Sequence, residues 1–451
     1  YRLFKNGDEK MSKFNWHVTS AVAVFLIGSV APVQAKAETL QEAIKVLVET
    51  NPEVRSRAYQ RLSRDEQIRQ ARADYFPRLD FIGGAGLQEY YEPLEFDRSP
   101  SEYRLSLRQN LFTGFGTKHN VARTRHHAKA GALQVKSISE STALEGSRAY
   151  LSVLRAQQIR DLAQEDLTNH LRISDQIKLR TQSGVARQSD NDQIETRLAL
   201  ARSNLVAAEA NLQDEITKYF KVMGHLPEGL VVPESMESIM PASIDEAQRQ
   251  AVVSHPTLQA IEQDLLARRS QVGIAKSFYY PVLDLEIDKR WRDEWDGFDQ
   301  KEEDLLALLR LRFNFFKGFK DQARKKETMH LVDDAIEARN DTARQVLENI
   351  RLSWMAYDTA QKRVGYLKER IRTAKSTVDA YAKQYQIGKR TLLDVLDSQA
   401  EWITARRDLI AENYNYQFAQ YRLLSGSGRL VASLGLEYPE ESIIEDDDKD
   451  S

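Results

Sequence analysis

Tyr279-Tyr280-Pro281-Val282-Leu283-Asp284 restates, 204 positions later, Tyr75-Phe76-Pro77-Arg78-Leu79-Asp80. The same offset relates Asn51-Pro52 to His255-Pro256, and Leu111-Phe112-Thr113-Gly114-Phe115 to Phe315-Phe316-Lys317-Gly318-Phe319. It also carries Gly184 and Asp190 onto Gly388 and Asp394. An offset held this far along the chain marks two copies of one structural unit, and it is far longer than the roughly 20–50 residues of a solenoid repeat. The 451 residues are therefore expected to form one body of two halves rather than a string of unrelated domains. The halves fall at 38–224 and 243–430, joined by a linker at 225–242 that holds Pro227, Pro233 and Pro241.

Each half reads as helix, two strands, a very long helix and a further helix. In the first half the helix starts at Leu40, with Thr39 as cap and Glu42 placed for a capping box, and runs to Ala73, where Pro77 stops it. Strands follow at about 79–89 and 103–112, then helices at about 117–182 and 189–222 broken at Gly184. The second half gives helix 244–277, strands 282–292 and 304–316, and helices 320–386 and 391–424 broken at Gly388. The long helices carry apolar residues at steps of three, four or seven, as in Ile350, Trp354, Tyr357, Val364, Leu367 and Ile371. That is the seam of coiled-coil packing. A helix of this length extends about 100 Å at ~1.5 Å per residue, so the molecule is expected to be elongated.

The strands alternate. Leu283, Leu285 and Ile287 oppose Asp284, Glu286 and Asp288; Leu105, Leu107 and Leu111 oppose Arg104, Ser106 and Arg108; Leu309 and Leu311 oppose Arg310 and Arg312. Strands of about ten residues with one apolar and one polar face suit a transmembrane barrel with a wet lumen. Tyr90, Tyr91, Trp291, Trp295 and Phe298 lie near the strand tips, where interfacial aromatics belong. An ordinary half-buried antiparallel sheet alternates in the same way. If the sheet lies in lipid, four strands cannot close alone, because single-chain barrels begin at about eight. Several chains would then have to build the barrel together, since unpaired backbone in lipid is prohibitive.

Residues 11–35 read as a secretory signal peptide: Lys13 lies near the start, Val18–Val30 is mostly apolar, and small residues follow Pro32. The run is shorter than the ~20 residues of a spanning helix. The chain contains no cysteine, which excludes disulfides, thiol catalysis, Cys-ligated metals and a lipoprotein anchor. The eight histidines are scattered. His126-His127 are adjacent and so do not share a helix face. Gly83-Gly84-Ala85-Gly86 lies in a strand and is not a phosphate loop. Basic residues are interspersed with acids, so no nucleic-acid surface is expected. No catalytic, cofactor or metal site is expected, and the protein is not expected to be an enzyme. Residues 431–451, rich in acids, are expected to form a disordered tail.

Tyr385-Gln386-Ile387-Gly388-Lys389-Arg390-Thr391-Leu392-Leu393-Asp394-Val395-Leu396-Asp397 resembles a segment at the periplasmic tip of the TolC-like outer-membrane factor family. Tyr75-Phe76-Pro77 and Leu111-Phe112-Thr113-Gly114-Phe115 are also similar to that family, and the likeness spans about Thr39 to Leu430. The resemblance implies an α+β membrane protein. Long antiparallel coiled-coil helices would form an α-barrel across the periplasm, and four strands per chain would contribute to a twelve-stranded β-barrel of a homotrimer in the outer membrane. It implies a passive exit duct of a type I secretion system, docked to a periplasmic adaptor (membrane fusion protein) and an inner-membrane ABC transporter. The alternative within the family is the outer-membrane component of a multidrug efflux pump, driven by a proton-driven pump. A soluble periplasmic coiled-coil scaffold or adaptor is the alternative from another class. By the same resemblance Asp394 and Asp397 form acidic rings at a periplasmic gate. Tyr385 and Arg390 latch one helix pair to its neighbours through Ser189 and Asp190. On residue chemistry alone, Asp394 and Asp397 also suit the start of a helix, where carboxylates favour the dipole.

Overall fold

The duplication read from the sequence is reproduced in the backbone, to the residue in the first three helices of each half. The computed structural model describes residues 37–91, 96–185, 187–295 and 300–444; the expected signal peptide at 11–35, Phe298 and the last acidic residues lie outside them. Helices α1 (Leu40–Thr50), α2 (Pro52–Ala73) and α3 (Gly116–Gln182) have counterparts 204 positions on. These are α5 (Ile244–Ser254), α6 (Pro256–Ser277) and α7 (Lys320–Gln386). The return helices α4 (Gln188–Met223) and α8 (Leu392–Gly426) start at the same offset, and a short α9 (Leu430–Ser433) follows. The strands are β1 (Arg78–Ala85), β2 (Gln88–Tyr90), β3 (Phe96–Arg98), β4 (Ser101–Phe112), β5 (Val282–Asp293) and β6 (Lys301–Arg312).

Four strands form one antiparallel sheet in the order β1-β4-β5-β6, and β2 pairs with β3 apart from it. Arg78 lies opposite Arg108 in the first hairpin and Val282 opposite Arg312 in the second, so the two registers coincide under the repeat. The second hairpin runs on to Asp293 opposite Lys301. The first breaks at Gly86, whose amide donates to the Pro100 carbonyl at 3.0 Å. Proline has no N–H to return, and the ladder stops there.

Three expectations are corrected. The helices expected at 40–73 and 244–277 are each two helices. Pro52 and Pro256 cannot donate to the preceding turn and instead open new helices. The Asn51 side chain accepts from the Glu53 amide at 2.8 Å, and His255 Nδ1 accepts from Thr257 at 3.3 Å. The strand expected at 304–316 ends at Arg312; the Asn314 side chain accepts from the Phe316 amide at 3.1 Å and turns the chain toward α7. Residues 431–444 are not a disordered tail. Val431 and Leu434 are buried, and Glu140 on α3 accepts from the amides of Leu430 and Val431 at 2.9 and 3.1 Å and from the Tyr438 hydroxyl at 2.5 Å.

The main core wraps the middle of α3. Ile44 and Leu47 of α1, Tyr150 of α3, Tyr219 of α4, Tyr421 of α8 and Leu430 of α9 meet there. Gly146 lets α1 approach, since a Cβ at that position would strike Leu47 and Ile44. The coiled-coil seam survives in buried Ile350, Tyr357, Val364 and Val378, joined by buried Val346.

Candidate functional site

Two regions carry unusual chemistry: the sheet and the helix-hairpin tips. In the sheet the usual polarity is reversed. Asp284 and Glu286, with 0% and 6% exposure, are its most buried side chains, whereas Leu79, Phe81, Leu309 and Leu311 are each more than 60% exposed. Glu286 accepts from Arg310 at 2.7 Å and lies 3.6 Å from Arg108; Asp284 pairs with Arg312. The Ser106 hydroxyl donates to Asp288 at 2.5 Å, and Glu102 meets Arg104, Arg290 and Arg292 at 2.7–3.5 Å. The register makes this one continuous face: Asp284, Glu286 and Asp288 stand beside Asn110, Arg108 and Ser106. Leu107 and Ile287 share the opposite face, and Tyr103 sits beside Trp291 toward its far end. In water, each large apolar side chain left out would forgo roughly 1.5–3 kcal/mol. A charged, more buried face backed by an exposed apolar face is the arrangement expected of a wall between a wet lumen and lipid. No described helix is long and apolar enough to cross a membrane.

The tips are turns of one design. Gly184 and Gly388 both take φ +73°, a left-handed value that ends each long helix. The amides of Val185 and Lys389 return to the carbonyls of Arg180 and Gln384 at 2.8 and 2.9 Å. Thr391 then opens α8: its hydroxyl accepts from the Asp394 amide at 3.3 Å and donates to the Asp394 carboxylate at 2.8 Å, while its own amide donates there at 3.1 Å. These bonds from Thr391, aided by nearby Arg390, hold the Asp394 carboxyl below the usual range. Asp190 does the corresponding work in the first half, accepting from the Arg187 amide at 3.3 Å.

The two hairpins touch through Ile177 and Ile194 on one side and Leu392, Leu396 and Tyr385 on the other. Polar contacts frame that apolar patch. Arg197 of α4 donates to Asp397 of α8 at 2.6 Å. The Arg180 guanidinium lies 5.3 Å from the Tyr385 ring centre. Burial pushes the Tyr385 hydroxyl up; Arg180 opposes this and Asp190 adds to it. Arg390 turns to its own hairpin: it lies 4.2 Å over the Tyr381 ring, donates to Gln384 at 3.1 Å and is 3.8 Å from Asp394. Within one chain, then, Asp190 acts on Tyr385 by charge alone, with no hydrogen bond between them among the described residues. Ser189 and Arg390 have no bond to each other among the described residues.

Sequence reasoning missed Arg180, Arg197, Tyr381 and Gln384. Arg197 carried a signal, because its repeat counterpart is Glu401, a reversal of charge between copies. Further along α3, His170 is buried with its Nδ1 3.2 Å from the Asp166 carboxylate. The Asp166 hydrogen bond raises its pKa against burial and the nearby Arg197. Among the described residues no cluster of His, Asp or Glu could hold a metal ion.

A family model described as outer membrane efflux protein matches residues 43–225 and 248–429, the two repeats. The chain is 26% identical over 424 residues to the outer membrane efflux protein BepC of Brucella suis biovar 1 (strain 1330), covering 92% of this chain and 91% of that protein. It is 23% identical over 418 residues to the outer membrane protein TolC of Escherichia coli (strain K12), covering 88% and 83%. Among solved structures, the CmeC outer membrane channel of Campylobacter jejuni superposes with a TM-score of 0.74 at 14% identity, covering 91% of this chain and 90% of that one.

Proposed function

The chain belongs to the outer membrane efflux protein family, and from that premise we propose that three copies of it build one duct through the outer membrane and across the periplasm. The observation that carries the proposal is the reversed sheet, with charged Asp284 and Glu286 inward, apolar Leu309 and Leu311 outward, and unpaired edges at β1 and β6. Backbone groups unpaired in lipid cost several kcal/mol each, so both edges need partners. Three chains of four strands give twelve, which exceeds the minimum of about eight for closure.

At the far end, Asp394 and Asp397 form acidic rings when three copies meet. Within one chain Asp394 is easily ionised; three such carboxylates on one axis repel one another and favour cations at the constriction. Tyr385 and Arg390, with Ser189 and Asp190, latch the hairpins. Docking to an inner-membrane transporter and a periplasmic adaptor releases the latch, and the energy comes from that transporter. Our reading of the cargo is a protein handed over by an ABC transporter, as in type I secretion. Efflux of small molecules is the second reading, favoured by the likeness to a protein named for efflux.

Extraction with outer membranes only in detergent, as a heat-modifiable trimer, is the expected outcome, and a soluble monomer after lysis would overturn the duct. In planar bilayers, Arg390→Ser or Tyr385→Phe is expected to raise single-channel conductance. Wild-type conductance in both variants would remove the latch. Copurification with an ABC transporter rather than a proton-driven pump decides between the two cargoes.

A further inference from the structure

Counted by residue, the charged face of the sheet is close to neutral; sorted by depth, its helix end is not. At the end that joins the helices, the register sets Asp284 opposite Arg310 and Glu286 opposite Arg108. Arg78 stands opposite Arg108 on the other side, and Arg312 lies opposite Val282 in the last row. Opposed residues share one face of a sheet, so all six charges lie on the charged face. The two carboxylate side chains are 0% and 7% exposed, whereas Arg78, Arg108, Arg310 and Arg312 are 78%, 58%, 46% and 56% exposed.

The reason is reach. A short carboxylate stays against the backbone, and a long guanidinium stands over it. Arg310 and Arg312 each lean back one row, to Glu286 at 2.7 Å and to Asp284, and Arg108 lies 3.6 Å from Glu286. Each such contact uses part of a fork of five N–H donors and leaves the exposed remainder in water. Arg78 and Arg108 are like charges set directly opposite, an arrangement that costs a sheet stability. The next row adds Asp80 and Asp288, but Asp80 is tied to Arg78 at 2.8 Å and Asp288 accepts from the Ser106 hydroxyl. At the far end of the sheet the order of depth is reversed: Glu302 is 49% exposed where Arg292 is 20% exposed.

We infer that Arg78, Arg108, Arg310 and Arg312 form an anion-binding collar at the helix end of the barrel, which takes carboxylate or phosphate groups of the cargo in transit. An ion in the lumen meets the guanidiniums first and the carboxylates behind them, and the nearer charge dominates. Low-dielectric walls concentrate that field. Guanidinium forks match carboxylate and phosphate groups with paired hydrogen bonds, so the collar selects by geometry as well as by charge. Its sign is opposite to that of Asp394 and Asp397 at the tips. The inference rests on the duct reading for the existence of a lumen, and adds to it a chemical class of cargo.

The probe is inositol hexakisphosphate, titrated by calorimetry into the full-length protein in detergent at low salt. Binding is expected, weakening as salt is raised, and inositol without phosphates is expected not to bind. Arg78→Gln with Arg310→Gln is expected to weaken binding at least tenfold, and the same two positions changed to Lys are expected to keep most of it. Arg78→Gln alone, which removes a partner only from exposed Asp80, keeps the test open if Arg310→Gln unsettles the sheet; a loss of at least threefold is expected. In the Arg390→Ser background, the paired Gln variant is expected to shift permeability from anions toward cations in planar bilayers. Wild-type protein that forms channels but does not bind the probe, or Gln variants that bind it as tightly as the parent, overturn the collar and leave the duct standing. A chain that forms no channel at all overturns the duct reading itself.

Discussion

At the level of single residues, the contact between the tips is built from weak parts. Arg197 and Asp397 are 31% and 57% exposed, and a pair that open contributes only about 0.2–1 kcal/mol. Arg197→Ala is therefore expected to leave the melting temperature nearly unchanged while raising channel conductance; a large loss of stability with unchanged conductance would assign the pair to the scaffold. His170 behaves differently because it is buried against Asp166. Its folded-state pKa lies above the unfolded one, so its contribution is complete below the ordinary imidazole range and is lost as pH rises through the raised value. His170→Gln should lower the thermal midpoint more at about pH 5.5 than at about pH 8.5. Equal losses at both would show that the ring acts through packing alone. The motif around Gly388 was legible in the sequence because a left-handed turn and a cap have local signatures. Arg180 over Tyr385 was not, because that contact joins two hairpins 205 positions apart.

At the level of elements, the decisive interactions are caps. Pro52 and Pro256 cut what periodicity reads as one helix into two, since a pattern of apolar spacing continues across a proline although the hydrogen bonds do not. The short α9 is held at its start by a carboxylate from α3. Glu140 is 3% exposed and accepts three hydrogen bonds; burial pushes its carboxyl up, with Tyr438 and the two amides pulling the other way. Glu140→Ala leaves two buried amides without an acceptor, a loss of roughly 2–4 kcal/mol. Limited proteolysis is expected to cut after Ser427 in that variant much sooner than in the parent. Equal cutting rates would mean that Val431 and Leu434 dock without the cap. An acidic composition suggested disorder here; it could not reveal a partner 290 positions upstream.

At the level of the whole molecule, duplication organises everything else. Both long helices have 67 residues, both hairpins share one register, and both tips turn at glycines of equal φ. The copies diverge at particular positions: Asp397 against Gln193, Arg197 against Glu401, Ala323 against His119. By itself the sequence determined the repeat, the order of elements, the turns and the alternation of the strands, because each is written in local spacing and in residues with restricted backbones. Only the tertiary structure decided which face of the sheet is buried. Alternation is unchanged when inside and outside are exchanged, and the choice is made by Asp284 and Glu286 finding arginines on neighbouring strands. It also decided which residues bridge the hairpins, since those contacts depend on how helices of about 100 Å lie side by side, and no short stretch of chain contains that information.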